Sequence, residues 1–141
     1  MNESDNQLIE AATAARVRSV APFSNFKVGA ALQTKAGKVF TGCNVESASY
    51  GLTMCAERVA IFKAVTEGHR RFKRMAIVTD TESPTPPCGA CRQLLWEFGA
   101  DAEVILANLR GAVLRYTVRE LLPAAFDARQ LQASGVLTPD S

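Results

Sequence analysis

Three cysteines impose the strongest constraint on how this 141-residue chain can fold. Cys55 lies in the segment Thr53–Glu57, and Cys88 and Cys91 lie much further along the chain in Pro87–Cys91. Cysteines at this Cys-x-x-Cys spacing commonly bind Zn²⁺, and a site with three protein ligands leaves a fourth position for water. The fold must therefore bring two distant segments to one point, and the pattern is typical of a catalytic zinc site.

Glu57 is a candidate general acid and base because it stands two residues after Cys55. It can take a proton from a zinc-bound water without serving as a ligand. Three thiolates leave the site with a net negative charge, which raises the pKa of that water unless positive charge opposes it. Arg58 is the first candidate for this opposing charge, and Arg92, next to Cys91, is the second.

Composition and charge argue against several classes of protein. The hydrophobic fraction is 48% and the charged fraction 21%, as in a globular domain and unlike a disordered chain. The sequence has no apolar run long enough for a membrane span and no signal-peptide pattern, so we expect a cytoplasmic protein with no membrane partner. A net charge of +2 argues against a nucleic-acid partner, although basic residues cluster within 70–74. Four cysteines in such a chain favour metal or redox chemistry over disulfides.

Hydrophobic periodicity predicts alternating helices and strands. The first element is a helix capped by Ser4 or Asp5, and a hairpin of two strands follows over 27–34 and 39–43. Thr117–Glu120 has the spacing of a capping box and begins the last predicted helix. The other predicted elements are helices over 55–67 and 88–98 and strands over 74–79, 103–107 and 113–116.

The order of these elements predicts the fold class α/β, as a three-layer α/β/α domain with a mixed five-stranded sheet. The apolar run Met75–Val78 indicates the central strand. Residues 1–132 are expected to form this single domain, followed by a flexible C-terminal tail over 133–141. Both cysteine segments then begin helices, where unpaired N–H groups and the helix dipole favour thiolates.

The metal, its water and the carboxylate together favour one reaction. Hydrolytic deamination of an amino-pyrimidine takes a proton from water and returns protons to the ring and to the departing ammonia. Cys55-Ala56-Glu57 with Pro87–Cys91 resembles the all-cysteine form of the zinc deaminase signature. Together with Ser24–Leu32 and Thr41–Glu46, these motifs resemble the homotetrameric cytidine deaminase family over about residues 22–126.

The resemblance implies a cytidine deaminase-like fold and zinc-dependent deamination of cytidine and deoxycytidine to uridine and deoxyuridine, in pyrimidine salvage. It implies one Zn²⁺ per subunit on Cys55, Cys88 and Cys91, with Glu57 as the proton shuttle. The residues that it places at the substrate are Phe26, Asn44, Glu46, Tyr50, Ala56 and Phe126.

Glu46 and Phe126 carry two further implications of the resemblance. Glu46 would accept a hydrogen bond from a ribose 3′-OH and would repel a phosphate, so a nucleoside is expected and not a nucleotide. Phe126 would complete the site of a neighbouring subunit, which implies a homotetramer with Tyr50 at the border. Phe23 and Ser47 stand where many relatives have tyrosine and asparagine, which leaves subunit contacts and fine substrate preference open.

Three alternatives stay open at this point. The protein could deaminate a modified cytosine nucleoside such as a blasticidin-type antibiotic, although Asn44 and Glu46 together favour an unmodified ribose. It could be a structural zinc module in which Cys43 is the fourth ligand. It could also be a thiol redox protein that uses Cys88 and Cys91 as a dithiol.

Overall fold

The computed structural model describes residues 2–133 of the chain. Its strands are β1 (Val28–Thr34), β2 (Val39–Cys43), β3 (Phe72–Thr79), β4 (Glu103–Asn108) and β5 (Val113–Thr117). Its helices are α1 (Glu3–Arg16), α2 (Ala56–Thr66), α3 (Gly89–Gly99), α4 (Val118–Leu121) and α5 (Ala128–Ala133), with a 3₁₀ helix at Tyr50–Leu52. Over this part of the chain, no helix has both the length and the apolar character needed to cross a lipid bilayer.

The strands form one five-stranded sheet in the order β2-β1-β3-β4-β5. Strands β3 and β4 are parallel, and every other neighbouring pair is antiparallel. The sheet is therefore mixed, and the predicted fold class is confirmed. Strand β3 lies at its centre, and the run Met75–Val78 is buried throughout, as expected for a strand covered on both faces.

Helices cover both faces of the sheet and complete the predicted three layers. On one face, Leu8 and Ala12 of α1 pack on Ala31, Val78 and Ile105. On the other face, α2 and α3 pack on the alternate side chains of the same strands, in a larger core. Its helical members are Ala56, Ala60, Ile61, Ala64, Leu95 and Trp96, and its strand members include Ala30, Leu32, Met75, Ile77, Val104 and Leu106. The period-two alternation along β1 and β4 thus separates two cores.

Two glycines let helices approach the hairpin closely. A Cβ atom on Gly42 would lie 2.5 Å from the Ala56 carbonyl oxygen and 2.7 Å from the Ala60 nitrogen. A Cβ atom on Gly29 would similarly meet the Ala12 carbonyl oxygen of α1 at 1.9 Å. Because no side chain could occupy either space, Gly42 sets the distance between β2 and α2, the helix that begins at Cys55.

The two ends of the described chain differ from the sequence prediction. Asn2, and not Ser4 or Asp5, caps α1, since its side chain accepts from the Asp5 backbone N–H. At the other end, α5 was not predicted and includes Ala133, which the prediction assigned to the tail. The remaining residues of that predicted tail, 134–141, lie outside the described residues, and the domain boundary at residue 132 stays a prediction.

Asp5 was predicted as a helix cap but serves as a buried anchor. Its side chain is 5% exposed and forms ion pairs with Arg74 of β3 and Arg115 of β5. Burial tends to raise the pKa of the Asp5 carboxyl, but the hydrogen bond and charge of Arg115, the Asn2 backbone and the charge of Arg74 outweigh burial and lower it. Asp5 therefore ties the first turn of α1 to two strands of the sheet.

We expect Asp5→Asn to lower the free energy of unfolding at pH 7 by about 1–3 kcal/mol, because it leaves two arginines without their shared carboxylate. A lowered native pKa means that the ionised group stabilises the fold above its unfolded pKa, and that this stabilisation is lost as the pH falls through the native value. The gap between wild type and variant should therefore shrink as the pH falls below 3.8, the pKa of an unperturbed aspartate.

Urea unfolding at pH 7 and pH 3 would measure this gap. The matched control is Asp101→Asn, since Asp101 is 76% exposed and pairs with Arg119 at the surface. That change should cost less than about 1 kcal/mol. A constant gap between wild type and Asp5→Asn at both pH values would contradict an ionised role for Asp5.

Candidate metal centre and active site

The three thiols predicted as ligands are brought together by the first turns of two helices. Cys55 is the N-cap residue of α2, and Cys88 is the N-cap residue of α3. Cys91 lies one turn further into α3 and is buried. The three Sγ atoms all lie within 4.8 Å of one another. Both helices begin at the same point on one face of the sheet, so their dipoles favour negative charge there.

This cluster fits a zinc ion in donor type and in spacing. Sulfurs placed about 2.3 Å from a tetrahedral Zn²⁺ lie about 3.8 Å apart. The Sγ atoms of Cys88 and Cys91 are 3.5 Å apart, close to that separation. Cys43 is not a member of any cluster of potential metal ligands within residues 2–133. The geometry therefore favours three sulfur ligands over the four that a structural zinc module would use.

The structure distinguishes the two arginines that the sequence offered as the opposing charge. Arg58 Nη2 donates to Cys55 Sγ over 3.4 Å, and Arg58 Nε is buried without a hydrogen-bond partner among the described residues. Arg92 instead donates to the backbone carbonyls of Pro87 and Leu121, at 2.8 and 3.1 Å. Arg58 therefore opposes the thiolate charge directly, whereas Arg92 fixes the loop before α3 and the end of α4.

Hydrogen bonds between the thiols, and from Arg58, shift the pKa values of Cys55 and Cys91 in opposite directions. The hydrogen bond from Cys91 and then the hydrogen bond and charge of Arg58 lower the pKa of the Cys55 thiol to about 5, against the effect of burial. The hydrogen bond to Cys55 and burial raise the pKa of the Cys91 thiol. Zinc binds thiolates, so its binding would displace the remaining thiol protons and should depend on pH.

Glu57 is enclosed beside these thiols in the first turn of α2. The residue is 5% exposed, and burial is the main cause that raises the pKa of its carboxyl. Because burial favours the protonated form, the Glu57 carboxyl can hold a proton and pass it to a base, as a general acid and base must. Ala56, predicted to contact the substrate, is 0% exposed and packs in the core against the sheet.

A pair of backbone bonds brings the predicted sugar-binding residues next to the first ligand. Val45 and Met54 each donate to the other's carbonyl oxygen, at 3.0 and 2.9 Å. Val45 lies between Asn44 and Glu46, and Met54 immediately precedes Cys55. This bridge therefore fixes two distant sequence motifs side by side, which sequence spacing alone could not establish.

Asn44 and Glu46 both hold the loop before β1. Asn44 accepts from the Val28 backbone N–H at 2.9 Å and donates to the Phe26 carbonyl at 2.7 Å. Glu46 accepts from the backbone N–H groups of Phe23 and Ser24 and from the Ser24 hydroxyl. An amide and a carboxylate have further capacity beyond these bonds, so both groups can still contact a ligand.

The aromatic residues predicted for the substrate site are exposed. Phe26, Tyr50 and Phe126 are 40%, 77% and 57% exposed. The Tyr50 ring packs edge-on against Phe23 at 6.0 Å between centroids, and the Phe126 carbonyl accepts from Gln93 Nε2 at 2.8 Å. Gln93 follows Cys91 by two residues, so the Phe126 segment is attached beside the metal-binding turn of α3.

Sequence reasoning missed the residues that hold these groups in place. Ser24 lies in the motif Ser24–Leu32, but its contact with Glu46 depends on two segments meeting in space. Trp96 packs in the core, and its Nε1 also donates to Asp127 at 2.7 Å beside Phe126. The only sequence signal for the role of Ser24 was a hydroxyl residue between Phe23 and Phe26, and no sequence signal pointed to Asp127.

The fold and the site together are those of a zinc-binding deaminase. The chain belongs to the cytidine and deoxycytidylate deaminase family, whose model of the zinc-binding region matches residues 2–107. The cytidine deaminase of Halalkalibacterium halodurans is 53% identical over 125 residues, which cover 88% of this chain and 95% of that protein. The crystal structure of cytidine deaminase from Burkholderia pseudomallei has a TM-score of 0.84 and 53% identity, and covers 89% of this chain and 100% of its own.

Blasticidin-S deaminase is a more distant relative. The Bacillus cereus protein of that name is 28% identical over 134 residues, which cover 89% of this chain and 94% of that protein. The predicted resemblance to cytidine deaminases and the predicted zinc cofactor are thus confirmed. The similarity to a deaminase of a modified nucleoside is therefore weaker than the similarity to cytidine deaminases.

We expect purified protein to hold about one zinc ion per chain, and Cys55→Ala or Cys88→Ala to lose it. Cys43→Ala is the matched control and should keep zinc, because Cys43 lies outside the cluster. Metal content by mass spectrometry would measure this loss. Thiol titration with and without a chelator would show whether metal masks Cys55, Cys88 and Cys91; unmasked thiols before chelation would favour the dithiol alternative.

Proposed function

We propose that this protein deaminates cytidine and deoxycytidine to uridine and deoxyuridine. Each turnover consumes one water and releases one ammonia. The carrying observation is the buried Glu57 carboxyl beside three convergent thiols, which supplies a proton carrier next to a site for one metal. The cytidine deaminase names of relatives that are similar over most of the chain support the same substrate.

Cys55, Cys88 and Cys91 would hold one zinc ion, which when bound supplies an activated water for hydrolysis. Arg58 would limit the negative charge of the three sulfurs by donating to Cys55 Sγ. Glu57 would carry a proton on a carboxyl oxygen to the pyrimidine ring nitrogen N3, and then a proton to the departing amine. Burial of Glu57 supports this role, since a raised pKa lets the same group accept and donate.

The substrate proposed is a free nucleoside. The sugar hydroxyl would contact Asn44 and Glu46, which the Val45–Met54 bridge holds beside Cys55. An ionised Glu46 would repel a phosphate, so neither a nucleotide nor a nucleic acid is proposed as a substrate. Phe26 would lie against the nucleoside, with Ala56 contributing its backbone because its side chain is enclosed in the core.

A homotetramer is also part of this proposal. Phe126 would complete the site of a neighbouring subunit, with Tyr50 at the same border. Their high exposure supports the idea, because large apolar side chains left in water commonly mark a contact surface. A cytoplasmic location and a role in pyrimidine salvage are proposed as well, and the four unpaired cysteines are consistent with a reducing compartment.

We expect Glu57→Gln to keep the zinc and the fold and to lower kcat by about 10²–10⁴-fold, since an amide cannot carry the proton. Loss of the cytidine absorbance band on mixing with protein would measure turnover, and metal content would be measured on the same sample. Glu97→Gln is the matched control, because Glu97 is an exposed carboxylate on α3. Turnover by Glu57→Gln at the wild-type rate would refute the shuttle role.

We expect Phe126→Ala to raise KM for cytidine by about tenfold or more, because the neighbouring site would lose an aromatic contact. Subunit mixing would show where Phe126 acts. A Phe126→Ala chain keeps its Glu57, and a Glu57→Gln chain keeps its Phe126, so tetramers that contain both should regain part of the activity. Sedimentation would measure the assembly.

Leu114→Ala provides the control for this prediction, since Leu114 is 40% exposed and lies on the edge strand β5. It should leave KM unchanged. Two results would contradict the shared site: a fully active monomer, or mixed tetramers no more active than their parent variants.

A further inference from the structure

The loop before β1 has a fixed shape that the proposed function does not explain. The Asn25 backbone N–H donates to the Ala21 carbonyl at 2.9 Å, which closes a single turn. Asn25 itself has a φ of 56°, in the left-handed region that asparagine adopts more readily than most residues. This reversal turns the chain toward β1 immediately before Phe26. The loop therefore presents Phe26 from a defined backbone and not from an open segment.

Ser24 connects the two groups proposed to contact the nucleoside. Its hydroxyl donates to Glu46 Oε2, and the Ser24 Oγ atom itself accepts from the Phe26 backbone N–H at 3.0 Å. The backbone N–H groups of Phe23 and Ser24 donate to the other carboxylate oxygen, Oε1, at 3.0 and 3.2 Å. The Ser24 side chain thus fixes both the Glu46 carboxylate and the backbone N–H of Phe26.

The hydrogen bonds on Glu46 leave it limited room for a ligand. An ionised carboxylate can accept about four hydrogen bonds, two at each oxygen. The loop occupies both positions at Oε1 and one at Oε2, so one position remains at Oε2. The Ser24 hydroxyl is also the largest cause that lowers the pKa of the Glu46 carboxyl, and the two backbone N–H groups add to it. Glu46 is thereby kept as an anion with one free acceptor position.

We propose that Ser24 is a positioning residue for nucleoside recognition, whose hydroxyl aims the free acceptor of Glu46 at one sugar hydroxyl. This inference rests on the proposed deamination of cytidine. Ser24 touches no reacting atom and acts through Glu46 and, to a smaller degree, through Phe26. It follows that this contact requires one particular sugar hydroxyl, the 3′-OH, which cytidine and deoxycytidine share.

The test compares a substrate that has the hydroxyl with one that lacks it. We expect Ser24→Ala to raise KM for cytidine about tenfold and to leave kcat within about twofold, because the chemistry at Glu57 is unchanged. KM for 2′,3′-dideoxycytidine should rise less than about threefold, since that substrate cannot use Glu46. Ser24→Thr retains the hydroxyl and should restore the wild-type KM.

A double-mutant cycle separates positioning from a general structural role. If Ser24 acts through Glu46, adding Ser24→Ala to Glu46→Ala should change KM for cytidine by less than about twofold. Calorimetric titration with uridine gives the same comparison without turnover. Ser19→Ala is the matched control, because the Ser19 hydroxyl donates to the Val28 carbonyl near this loop and does not contact Glu46. If Ser24→Ala does not fold, Ser24→Cys replaces it with a weaker donor of similar shape.

Three results would overturn the inference: equal losses on the two substrates, additive losses in the cycle, or no recovery with threonine. These outcomes differ from failure of the proposed function. If the wild-type protein converts cytidine and Ser24→Ala keeps the wild-type KM, only the role of Ser24 is refuted. Wild-type protein that does not convert cytidine would overturn the proposed function, and this inference with it.

Discussion

Concentrating three thiols at one point is the constraint on which the rest of the structure depends. Sulfurs within 4.8 Å of one another repel as thiolates, so positive charge must face them. The N-termini of α2 and α3 supply part of that charge, and the Arg58 guanidinium supplies more. Two helices must therefore begin at the same place. The order of the strands beneath them must bring the N-termini of α2 and α3 together.

The sheet meets this requirement through close packing at the hairpin. Gly42 lets the backbone of α2 approach β2 to a distance that any side chain would prevent, and this places Cys55 and Glu57 at the edge of the core. Val45 and Met54 then join the segment after β2 to the residue before Cys55. The clustered thiols, Glu57 and the residues proposed to contact the sugar are consequently held by one rigid framework, which suits a reaction that depends on fixed distances.

Local patterns predicted much of the fold and part of the site. The apolar run of β3 and the capping box at Thr117 are short-range signals, and the structure shows both. Asp5 misled the prediction because a carboxylate that begins a helix can also pair with distant arginines. The Ser24 contact with Glu46 was invisible for the same reason, since it spans 22 residues.

The sequence by itself determined the chemistry available to this protein: soft sulfur ligands at a Cys-x-x-Cys spacing, a carboxylate two residues from a third cysteine, and helices that begin at those ligands. These features depend on residue type and on local spacing, which a sequence displays directly. Only the tertiary structure decided that Arg58 faces the sulfurs while Arg92 binds carbonyls, and that Glu46 is held by Ser24. Such choices depend on which segments meet in space, and packing of the whole sheet and its helices sets those meetings.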